Sequence, residues 1–140
     1  MLKSKTFDQA ELELAREFCK QQFTLAERQS DGSTLRKHLE SVEKVTGKRP
    51  KELETIELPE VFQFCWEWFL HLNNARPSGG FGASPLLYSE MQAFFELKQL
   101  SPEPWEIDII KMFDIIALDI FNQQQKAQQE RNMQQNKKKK

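Results

Sequence analysis

Two histidines, two cysteines, a glycine cluster and a scatter of carboxylates are the residues of this 140-residue chain that could do chemistry. His38 and His71 fall on different predicted helices, and neither belongs to the HExxH spacing that turns two imidazoles towards one zinc ion. Cys19 and Cys65 stand far apart, outside any CxxC pattern and among apolar neighbours, so small buried thiols are expected instead of a bridge or a metal site. Gly79, Gly80, Phe81 and Gly82 could approach a phosphate, yet no Gly-Lys-Ser/Thr ending follows and no strand precedes them. Glu67, Glu90, Glu96, Glu106 and Asp114 could supply an acid–base pair, but no spacing singles out two of them, and solvated helix faces normally carry such groups. No serine lies in a GxSxG elbow. The expectation is a protein that is not an enzyme and uses no cofactor and no metal.

The elements that must position these residues read as helices throughout, since no alternating β-branched run appears anywhere. Leu12, Ala15, Phe18, Cys19, Phe23 and Ala26 predict a helix over residues 8–27, with Thr6 and Gln9 as a capping box. Residues 29–33 supply a turn, and Leu35, Leu39, Val42 and Val45 predict a second helix over 34–46 that Gly47 stops. Residues 48–58 read as a connector pinned by Leu53, Ile56 and Leu58. A third helix is expected over 59–73, then a long Gly-rich loop to Pro85. A fourth opens at Ser89 with Gln92, and a fifth, capped by Ser101 and Pro102, spans about 102–122. Trp105, Ile109, Met112, Phe113, Ile116 and Ile120 form one face of the fifth helix, but Ile107, Ile110, Ile115, Leu118 and Phe121 cover much of the rest. A helix apolar on most sides is either central or covered by a partner. The fold class is therefore all-α, a single domain of about five helices over residues 1–122, with a polar, flexible Gln/Lys tail over 123–140 that either frays or prolongs the last helix.

Composition turns the argument towards binding. Eleven Phe and three Trp against one Tyr exceed what a chain with 39% hydrophobic and 29% charged residues needs. Trp66 and Trp68 project from different sides of one helix and cannot both bury against one neighbour, so the run from Phe62 to Phe69 serves a large core, an exposed patch, or both. Lys137 to Lys140 account for four of the 20 basic residues; the remaining 16 face 21 acidic ones, which argues against a phosphate-gripping surface over the whole fold. No apolar run near Met1 matches a signal peptide, and Asp108, Lys111, Asp114 and Asp119 interrupt the most apolar stretch, so a soluble chain in a reducing compartment is expected, with no membrane contact.

The stretch from Leu35-Arg36-Lys37-His38 through Thr46-Gly47-Lys48-Arg49-Pro50, Trp66-Glu67-Trp68-Phe69, Arg76, Gly79 to Gly82, Tyr88-Ser89-Glu90 and Pro104-Trp105-Glu106 to Asp114 resembles, in order and spacing, the tail assembly chaperones encoded beside the tape measure protein in long-tailed bacteriophages and prophages. The resemblance spans residues 34–119, with Tyr88 where relatives often carry Trp and Ala117 where they often carry an aromatic. It implies a non-catalytic protein of the host cell cytoplasm, absent from the mature virion. Its implied partners are the tape measure protein, which it would keep soluble, and the tail tube protein, reached through a frameshifted longer product. Asn136 and the lysines after it are then either the trace of a slippery messenger run or a solubilising basic tail. The first helix, outside the resemblance, is expected either to pack on the body or to serve as an arm in self-association. The partner surface expected is Trp66, Trp68, Phe69, Arg76, Gly79, Gly80, Phe81, Gly82, Tyr88, Trp105, Ile107 and Ile110. The rival reading is a helical regulatory or nucleic-acid-binding protein whose basic footprint is Arg36, Lys37, Lys44, Lys48, Arg49 and Lys51 with the Lys tail.

Overall fold

A computed structural model describes residues 7–76 and 84–138 of the chain. Among the described residues it is an all-α domain of five helices, with β pairing confined to a single isolated bridge between Arg28 and Thr34. The first helix, α1, spans Gln9–Leu25. Its cap is Asp8, whose carboxylate accepts the Ala10 N–H at 3.3 Å, while the expected partner Thr6 lies outside the described residues. Because α1 ends at Leu25, that residue takes the inward position expected of Ala26, which is exposed.

Gly32, at φ +85°, closes the turn in which Gln29 N–H donates to the Ser33 carbonyl at 2.7 Å. The next helix, α2 (Leu35–Thr46), then starts at Thr34, whose hydroxyl accepts the Lys37 N–H, and ends at Gly47 with φ 74°, as the sequence predicts. The connector makes a 3-10 turn at Lys51–Leu53, buries Leu53 and Leu58, and half-buries Ile56. Gln21 of α1 ties it down by donating to the carbonyls of Glu52 and Glu54 at 3.1 and 2.6 Å.

A second 3-10 turn, Glu60–Phe62, leads into α3 (Gln63–Asn74). Helix α4 covers Tyr88–Leu97 and begins one residue before Ser89. Leu87 occupies the cap with no side-chain bond, which corrects the expected Ser89 cap. Helix α5, Pro104–Lys138, begins later and ends later than the 102–122 expected. The start moves because the Glu106 carboxylate reaches back to the Glu103 N–H at 2.8 Å, which makes Pro104, not Pro102, the proline of the first turn. The end moves because residues 123–138 prolong the helix, supported by side-chain pairs such as Arg131 with Gln128 at 2.9 Å.

Helices α1 and α3 pack on α5, which is central through the body. Phe62, Phe69 and Phe113 are fully buried with Ala15, Cys19, Cys65 and Ile110. Trp66 meets Phe113 and Phe18 edge-on, at ring-centroid distances of 5.1 and 5.0 Å, an arrangement favoured by the aromatic quadrupole.

Candidate partner-binding site

Asp114 is fully buried on the inward stripe of α5 between Phe113 and Ala117, where a lone carboxylate would be costly. It is compensated on both oxygens. Oδ1 accepts from Arg76 Nη2, just beyond α3, and Oδ2 accepts the Leu86 N–H at 2.8 Å. The Arg76 side chain is itself 9% exposed, and its other nitrogens donate to the Ser84 carbonyl and to Asn73 Oδ1. One turn earlier on α5, Lys111 Nζ donates to the Leu86 carbonyl at 2.6 Å and sits 5.0 Å from the centre of the Tyr88 ring. Three charged side chains thus hold the backbone of Ser84 and Leu86 at the entrance to α4. Leu86 is a buried plug, and beyond it Leu87 and Tyr88 are 57% and 65% exposed. Ile115, one turn beyond Lys111, is 65% exposed.

A second apolar area also borders α4. Phe64 is 65% exposed and stacks on Trp68, which in turn meets Phe95 of α4 edge-on at 5.3 Å.

The expected partner residues that are described separate into three groups. Phe69 and Ile110 are fully buried, and Trp66 is half-buried among Phe18, Phe23, Phe69 and Phe113. Arg76 holds the Asp114 network, while Tyr88 and Trp68 border exposed apolar surface. Trp105 and Ile107 are half-buried against the core, the indole lying 4.9 Å from the Phe7 ring and donating to the Glu103 carboxylate. Gly79, Gly80, Phe81 and Gly82 lie outside the described residues. Sequence reasoning missed Phe64, Leu87, Lys111 and Ile115, and it named Arg76 and Asp114 without joining them. The clue was available: an acid in register with Ile110, Phe113 and Ala117 on an otherwise apolar stripe requires a cation.

The two cysteines and the two histidines each have a structural setting. Cys19 and Cys65 are free and buried, and burial pushes both thiols up to about 12, with the Glu106 charge adding to the effect at Cys65. His38 Nε2 pairs with Asp31 at 3.0 Å, and His71 stacks on Phe94. Among the described residues no group of three or more His, Cys, Asp or Glu could hold a metal ion, and no helix is long and apolar enough to cross a membrane. Of the basic footprint, Arg49 is engaged with the Leu53 carbonyl, at 3.1 and 2.9 Å, and with Glu43.

The sequence model of the phage tail assembly chaperone family matches residues 42–119, more than half of the chain. No curated protein and no solved structure matches it. The matched span takes in the end of α2, all of α3 and α4, and the body of α5, and so contains the Arg76–Asp114 network and both exposed apolar areas.

Proposed function

Because this chain belongs to the phage tail assembly chaperone family, we propose that it holds the tape measure protein in soluble form in the host cytoplasm and assists tail tube polymerisation without catalysing a reaction. The observation that carries this reading is the set of large apolar side chains left uncovered on or beside α3, α4 and α5 within the matched span, Phe64, Leu87, Tyr88, Leu97 and Ile115. Apolar surface of this kind suits the stripe of an amphipathic helix, which is shielded by van der Waals contact and released without unfolding. Trp68 and Tyr88 are the aromatic anchors of the surface, Arg76 organises it, and residues 79–82 border it in sequence.

Recruitment of tail tube protein is assigned to a longer, frameshifted product, of which Asn136 and the following lysines are the coding trace. Residues 1–122 make the holding domain, and the protein leaves before the virion matures. Co-expression with the tape measure protein of the same phage tests the reading directly. The chain should co-purify with it and raise its soluble fraction; a tape measure protein that stays insoluble and unbound sinks the proposal.

A further inference from the structure

The Arg76–Asp114 network is built unlike a stabilising surface pair. Both charges are desolvated, a cost that mutual attraction often fails to recover, and apolar residues of similar size can replace such pairs without loss of stability. What the pair and Lys111 do together is grip main-chain atoms, namely the Ser84 carbonyl and both the N–H and the carbonyl of Leu86, in a stretch with no helix or strand to order it. The two residues after that grip are large, apolar and exposed. A tightly fixed backbone carrying uncovered side chains is the arrangement expected of a preorganised contact, in which the ordering cost of binding is met before the partner arrives.

We infer that Arg76, Asp114 and Lys111 are positioning residues that present Leu87 and Tyr88, with exposed Ile115 one turn along α5 from Lys111, as a preformed patch for an amphipathic helix whose apolar stripe is flanked by a carboxylate. The inference rests on the chaperone reading for the source of that helix, the tape measure protein. Its acidic flank follows from Lys111, whose ammonium lies over the Tyr88 ring and has no carboxylate partner among the described residues. The apolar stripe would cover Leu87, Tyr88 and Ile115 while the carboxylate meets the ammonium.

Tyr88 is the only tyrosine in the chain, so labelling with 3-fluorotyrosine gives one fluorine resonance that reports on the patch alone. The double variant Arg76→Met/Asp114→Leu removes both buried charges together. It should keep its melting temperature within a few degrees, move the Tyr88 resonance towards that of free fluorotyrosine, and weaken tape measure binding at least tenfold. Lys111→Met, at a half-buried site, should move the same resonance and weaken binding several-fold, and it decides the matter if the double variant does not fold. Leu87→Ser/Tyr88→Ser, on unlabelled protein, should abolish binding with no change in stability. An unmoved resonance, or a moved one with binding intact, overturns the positioning role. If the wild-type chain itself fails to bind, the chaperone reading falls, and with it the assigned partner, while the resonance still decides whether the network positions Tyr88.

Discussion

Burial, more than residue type, sets what individual side chains do here. With thiols pushed up to about 12, Cys19 and Cys65 are about one part in ten thousand thiolate at pH 8, so Ellman's reagent should leave the native protein unlabelled for hours and react with both on adding denaturant. Trp66→Ala should cost about 3–5 kcal/mol, read from urea unfolding, because four aromatic rings close around the indole. Trp68→Ala, at the edge, should cost less and reduce partner binding first. Asp31 behaves in the opposite sense to the thiols: the Ser33 hydroxyl and amide, then His38, hold its carboxyl down to about 2 from an ordinary 3.8. A depressed acid adds stability above its ordinary value and loses it as pH falls through about 2. Asp31→Asn should therefore flatten the part of the acid-unfolding curve between about 2 and 4, and a carbon-detected titration of Asp31 should find its midpoint near the lower limit. The sequence revealed that the cysteines would be buried, since their neighbours are apolar. It did not reveal which tryptophan lay deeper, because that depends on where α1 brings Phe18 and Phe23.

At the level of elements, local chemistry was legible where a cap or a glycine decides the outcome. Thr34 and Gly47 bound α2 as read, and Thr34→Ala should cost about 1 kcal/mol while Gly47→Ala should cost a similar amount from backbone strain alone, since nothing lies within 4 Å of the added methyl; thermal melts of both variants measure this. Boundaries set by tertiary contacts were less legible. Helix α4 begins at Tyr88 with Leu87 in the cap because the Leu86 backbone is held by Asp114 and Lys111, a constraint contributed from a helix far along the chain. Helix α5 overran its expected end because glutamine, lysine and arginine are good helix formers even where no apolar face remains to bury. Residues 123–138 should therefore add helical signal and little cohesion: truncation after Asn122 should lower the ellipticity at 222 nm while shifting the melting midpoint by no more than a few degrees.

For the molecule as a whole, the family match stops short of α1, yet α1 supplies Ala15 and Cys19 to the centre of the core, with the Cys19 thiol 3.6 Å from the Phe113 carbonyl. Of the two roles the sequence allowed that helix, packing on the body is the one it takes here. The all-α class was readable because helical periodicity recurs in segment after segment between the turns and loops, with no alternating β-branched run to compete. That Asp114 needs a cation was readable from its apolar stripe, but that Arg76 supplies it was not, because the two positions are brought together only when α3 and α5 pack. One consequence concerns reach. Helix α5 is about 52 Å long, and its last turns stand about 25 Å beyond Phe121, where the apolar face ends. Anything joined to that end by continued translation would be carried on a stiff outrigger, free to engage one protein while the helical body is occupied with another, at a separation set by the number of turns between them.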